Sequence, residues 1–148
     1  MKNFFINTVL LSSVIFWSTA LFSGRSVAET IAVVVNPKSN IASLSEEEVR
    51  KIFLGKLLFY HNKRLFPVDQ EDKSLLYQDF CQKVLRKNPS EIKAYWSVKI
   101  FTGRGTPPKP VGIDADVKQW VNKNDDSIGY IEQKSVDHTV KVVHLVQE

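Results

Sequence analysis

Ile31 to Val35 reads IAVVV, five apolar residues in a row, four of them β-branched, closed by Asn36-Pro37. A strand with one wet face alternates apolar and polar residues; an unbroken apolar run has no wet face and belongs inside a sheet covered on both sides, as in parallel sheets. The chain around it must therefore supply helices for two faces. Ser45 to Glu48 matches a capping box, with Ser45 as N-cap and Glu48 at N3. Val49, Ile52 and Phe53 follow on one helical face, and Gly55 is placed to end the helix in a left-handed conformation. Lys56 to Arg64 reads as irregular with a turn at His61 to Lys63, and Leu65 to Val68 as a second short strand. Asp69 to Lys73 is polar enough to predict a loop.

Ser74 stands where an N-cap belongs, and Leu76, Phe80 and Val84 recur along one face of the helix that follows to about Arg86-Lys87. Asn88-Pro89-Ser90-Glu91 opens another helix, with Asn88 as N-cap, Pro89 at N1 and Glu91 at N3. Ile92, Tyr95, Trp96 and Phe101 give that helix its bulk. Two glycines and three prolines between Thr102 and Val111 argue against regular structure there. Asp114 is the expected cap of a helix carrying Val117, Trp120 and Val121. Asn124 to Ser127 is a turn, Ile128 to Ile131 a strand, Gln133 to His138 a polar connection and Val140 to Val146 the last strand. Strands that alternate with helices predict an α/β class with a mostly parallel or mixed sheet and helices on its faces.

The chain begins with a targeting pattern. Lys2 supplies a positive start, Phe4 to Phe22 is mostly apolar, and Ser26-Val27-Ala28 offers small residues for cleavage. Cleavage after Ala28 is expected over retention as an anchor, because polar residues interrupt the apolar stretch. Residues 1–28 are thus read as a signal peptide and residues 29–148 as one domain in the periplasm or outside the cell. Removing the signal takes Lys2 and Arg25 and no acid, which lowers the net charge from +4 to +2. So small a charge, spread along the chain, points away from nucleic acid. After cleavage no membrane span is expected.

No catalytic constellation emerges. His61, His138 and His144 lack metal-ligand spacing. Cys81 is the single cysteine; beside Phe80 and near Val84 it reads as a small core residue with no base next to it. Glu71 and Asp72 are better explained by a solvated turn than by paired-carboxylate chemistry. The chain is read as a non-enzyme without cofactor or metal. Two polar loops can meet an anion. In one, Lys73 and Ser74 stand at a helix start, where free amides and the helix dipole favour negative charge. In the other, Gly103 and Gly105 allow a nest of amides beside Arg104, with Thr106 adding a hydroxyl. On local features alone ordinary turn chemistry explains both loops better, since Asp69, Glu71 and Asp72 repel an anion.

Taken together, Leu44 to Gly55, Phe66-Pro67-Val68, Tyr95 to Pro108 and Ile128-Gly129-Tyr130 resemble the short periplasmic phosphate-binding-like proteins, relatives of the substrate-binding components of ABC phosphate importers. The resemblance implies a type 2 periplasmic-binding-protein fold, of which this chain is long enough for about one lobe, a mixed sheet flanked by helices. It also implies phosphate or another oxyanion as ligand and an ABC permease as partner; Lys73 and Ser74 are the expected ligand-binding residues, with Arg104 and Thr106 as further candidates, and of the ligand loop only Ser74 and loosely an acid match the family. The family's second ligand loop carries an arginine, an acid and a Ser-Gly-Thr. Here the run is Asp69 to Leu75, without the arginine or the glycine, so weak affinity is the expectation. The other expectation is a lobe kept as a scaffold that docks on an envelope protein, for which Leu57, Leu58, Phe59 and Tyr60 offer an apolar patch.

Overall fold

The computed structural model describes residues 30–147; the expected signal peptide lies outside the described residues. The first strand, β1 (Ile31–Val35), is buried at every position. It is followed by α1 (Glu46–Phe53), a small hairpin of β2 (Phe59–Tyr60) and β3 (Lys63–Arg64), then β4 (Phe66–Gln70) and α2 (Leu75–Phe80). A π-helical turn, Cys81–Leu85, extends α2. The chain continues through α3 (Pro89–Phe101), β5 (Lys109–Gly112), α4 (Asp114–Lys123), β6 (Ser127–Glu132) and β7 (Lys141–Leu145).

Five strands form one sheet in the order β5-β4-β6-β1-β7. β4 runs parallel to β5 and to β6. β1 is an interior strand, antiparallel to both of its neighbours, pairing Val33 with Tyr130 of β6 and with His144 of β7. The sheet is therefore mixed. The apolar run of β1 reported its double burial correctly, but the parallel pairing it suggested is not found, because burial on two faces follows from helix cover and not from strand polarity.

The period of two sorts β1 between two cores. Ile31, Val33 and Val35 face α1, α2 and α3, among Ile52, Phe53, Phe80 and Tyr130. Phe53 meets Phe80 edge-on at 4.8 Å, and Phe80 stacks on Tyr130 at 3.7 Å between ring centres. Ala32 and Val34 face α4, against Val117 and Val121. Each fully buried aliphatic or aromatic side chain here contributes on the order of 1.5–3 kcal/mol relative to exposure.

The local start and stop signals behave as the sequence implies. Ser45 and Glu48 close a capping box on α1, and Asn88 and Glu91 close one on α3. Gly55 sits at φ 64, and the amides of Gly55 and Lys56 return to the carbonyls of Ile52 and Lys51. That is the helix-ending motif in which a left-handed residue turns the last amides back on the helix. In the hairpin, His61 and Asn62 both have positive φ, as a two-residue turn twisted with its strands requires.

Four readings are corrected. Asp69 and Gln70 belong to β4 rather than to a loop, because their polar groups are paired inside the fold. Lys109 to Gly112 forms a strand despite Pro110: β5 lies at the sheet edge, where a missing amide costs no ladder bond. Asp114 does not cap α4; the Ile113 amide donates to Asp116 Oδ2 at 3.0 Å instead. Phe101 contributes nothing to the core and is 93% exposed.

Close packing of α4 on the sheet makes a specific prediction at Gly129. A Cβ there would lie 2.6 Å from Val117 Cγ1 and 3.1 Å from Val68 Cγ2. Both contacts are buried core groups with no room to withdraw. Gly129→Ala is expected to lower stability by about 1–3 kcal/mol, the ordinary cost of overpacking, read as an earlier midpoint in urea unfolding with unchanged slope.

Candidate functional site

Where β4 ends and α2 begins, the sequence places polar residues on three buried or half-buried positions. Gln70 is 2% exposed and every polar atom of its side chain is engaged. Its Nε2 donates to Asp114 Oδ1 at 2.6 Å and to the Tyr130 carbonyl at 3.2 Å. Its Oε1 accepts from Ser74 Oγ at 3.2 Å. Asp114 Oδ2 in turn accepts from the Glu132 amide at 3.1 Å. One glutamine thus ties the end of β4 to the starts of α2 and α4 and to β6.

Asp69 is the other half of this cluster. Its Oδ1 accepts from the Tyr130 hydroxyl and from the Gln70 amide, the latter at 3.0 Å. Burial pushes its carboxyl up from 3.8 to about 6, against the lowering effect of the Tyr130 hydroxyl. Burial, followed by the nearby Asp69 charge, pushes the Tyr130 hydroxyl well above its ordinary value, so Tyr130 remains the donor. Asp69, Gln70, Asp72, Tyr77 and Trp96 line a cavity of about 380 Å³ beside the carboxyl end of β4. At its rim Lys93 pairs with Asp72 at 3.2 Å. Cys81 is fully buried behind Tyr77, and burial pushes its thiol up to about 12, far from thiolate chemistry.

The structure brings Lys73 and Ser74 together at the start of α2. Ser74 stands at the N-cap and accepts from the Tyr77 amide at 3.4 Å. Lys73 is exposed in the preceding turn. Arg104 and Thr106 lie elsewhere, on the loop after α3. There Gly103 at φ 66 closes the helix, with the Gly103 and Arg104 amides donating to the carbonyls of Ile100 and Lys99 at 3.0 and 2.8 Å. Those two amides are engaged and do not form an open nest. Thr106 opens on a different cavity, of about 410 Å³, at the amino ends of the parallel strands. Of the expected apolar patch, Leu58 and Phe59 are exposed, while Leu57 and Tyr60 pack on the core.

Sequence reasoning missed Gln70, Asp114 and Tyr130 as members of the polar cluster. One signal was present: a tyrosine in an otherwise apolar strand needs a partner for its hydroxyl once buried.

The raised Asp69 value predicts a pH effect on stability. The folded state binds the extra proton more readily than the unfolded state, so this group's stabilising contribution is complete below the ordinary carboxylate range. It is lost as pH rises through about 6. Asp69→Asn retains an acceptor for Tyr130 and cannot ionise. It is expected to be more stable than the parent at pH 8, by on the order of 1–3 kcal/mol, with the difference shrinking toward pH 5. Equal denaturant midpoints at both pH values would contradict this.

No protein-family model matches the chain, and no curated protein is similar to it in sequence. Solved structures do match it. An ABC-type phosphate transport receptor from Vibrio cholerae superposes with a TM-score of 0.55 at 20% identity, over 78% of this chain and 46% of that one. A substrate-binding protein from Clostridium perfringens, solved with bound phosphate, gives 0.64 at 20% identity, over 78% of this chain and 44% of that one. PstS from Borrelia burgdorferi gives 0.59 at 15% identity, over 78% and 46%. At such identities the likeness is one of fold, and the chain spans less than half the length of each. The structure is an α/β domain with a mixed, helix-flanked sheet, similar in fold to part of the phosphate-transport binding proteins.

Proposed function

We propose that the chain is an exported solute-binding-like domain that holds phosphate or a related oxyanion weakly at the start of α2. The observation that carries this is the position of that helix start: it opens at the carboxyl end of β4, in a fold shared with a phosphate-bound binding protein. Ligands of open α/β sheets collect beyond the carboxyl ends of strands. Lys73 supplies a charge free to reach outward, and the first-turn amides of α2 supply donors. Ser74 joins them by turning toward the anion the hydroxyl proton it otherwise gives to Gln70 Oε1.

Weak binding follows from the electrostatics. Glu71 is exposed beside the turn, and Asp72 is half neutralised by Lys93 at the rim. A single lobe leaves one side of the anion to water, which competes well for it. The reading is of binding without catalysis, in the periplasm or outside the cell after signal cleavage. An ABC permease or another envelope protein receives the solute. No helix among the described residues is long and apolar enough to cross a membrane.

Isothermal titration of phosphate into the purified protein at low salt tests the proposal. Saturable heat with a dissociation constant in the millimolar range is expected, about 4 kcal/mol of binding energy. It should weaken severalfold in Lys73→Gln, which leaves the helix cap intact, and in Ser74→Ala, whose lost cap alone costs about 1 kcal/mol of stability. Absence of both heat and thermal stabilisation by phosphate would overturn the reading.

A further inference from the structure

The cavity of about 410 Å³ at the amino ends of β4, β5 and β6 lies away from the oxyanion turn and is built differently. Its floor includes Leu65 and Val68, and its walls include Trp96 and Trp120. Arg64 and Lys109 stand at it. The Arg64 guanidinium lies 5.1 Å from the Phe66 ring centre, and the Lys109 ammonium 4.2 Å from the Trp120 ring centre. Among the described residues neither cation has a carboxylate partner, although adjacent Lys63 pairs with Asp125 at 3.3 Å. Asp126 is the one acid among the lining residues.

Ser127 adds a polar group to the wall: the residue is 2% exposed and lines the cavity. Thr106, singled out in the sequence as an oxyanion hydroxyl, lines this same cavity.

We infer that this cavity is a second ligand site, for a small organic anion with a flat apolar body, of the aromatic carboxylate or sulfonate class. The volume falls in the range of small-molecule pockets and is far larger than an inorganic oxyanion fills. Apolar walls with a few convergent polar groups match such a body. The cations, each held over a ring, receive the charged group, and Ser127 and Thr106 orient it. The inference does not depend on phosphate binding at Lys73 and Ser74.

Trp96 and Trp120 make occupancy readable by indole fluorescence. The probe is 1-naphthoate, titrated into the full protein at low salt, with 1-naphthalenemethanol as its uncharged analogue. Naphthoate should quench saturably and bind about tenfold tighter than the alcohol, the effect of one charge-assisted hydrogen bond. Arg64→Gln and Lys109→Gln, both at exposed positions, should each remove most of that preference. Ser127→Ala should weaken naphthoate by a few fold, and Lys73→Gln should leave it unchanged. Equal affinity for acid and alcohol, indifference to Arg64→Gln and Lys109→Gln, or absence of quenching would overturn the site and leave a cavity filled by water.

Discussion

A strand with no solvent face sets the plan of this molecule. All five residues of β1 are at most 1% exposed, so the sheet must be covered twice along the same strand. Alternation then divides the labour. One set of side chains seats three helices and the aromatic stack of Phe53, Phe80 and Tyr130, and the other seats α4 alone. The second layer has one thin helix and small strand residues, which is why Gly129 lies within touching distance of Val117. Every position proposed for ligand binding hangs from this frame: the end of β4, the start of α2, and the loop that leaves α3.

The polar cluster at the end of β4 is tolerable only as a unit. A buried glutamine, a buried tyrosine hydroxyl and a half-buried aspartate would each be costly alone. Together they satisfy one another across β4, β6, α2 and α4. Burial, working against that pairing, gives Asp69 its readiness to hold a proton. Trp96 and the two prolines Pro107 and Pro108 border this cavity and the larger one at the opposite strand ends. The two hollows therefore share a wall built from α3 and its exit loop.

What was legible in the sequence was chemistry settled within a turn of chain. Ser45 with Glu48, Asn88 with Glu91, Ser74 and Gly55 fix helix ends by contacts three to six residues away, so their roles can be read directly. What was illegible depended on partners far along the chain. Tyr130 and Asp69 are 61 positions apart, and nothing local announces that either has a partner. Gln70 looked like loop because polarity was taken as exposure, and β5 looked irregular because Pro110 was weighed without knowing that the strand lies at an edge. Phe101 was counted as core from its type alone, on a helix whose apolar residues do not keep to one face. Of the candidate ligand residues, Lys73 and Ser74 were legible as neighbours on one helix start. The separation of Thr106 from them was set by the length of α3, which no motif records.

The antiparallel seating of β1 carries a consequence for assembly. Both of its neighbours, β6 and β7, come from the far end of the described chain. Until those strands exist β1 has no ladder on either side, and the helices written between them have no sheet to cover. Early local helices can form, yet this interior strand is closed only by the last of the described strands, and contacts so distant in sequence are slow to find. The earliest described strand therefore waits longest for its partners, with its five apolar residues uncovered until the far end arrives.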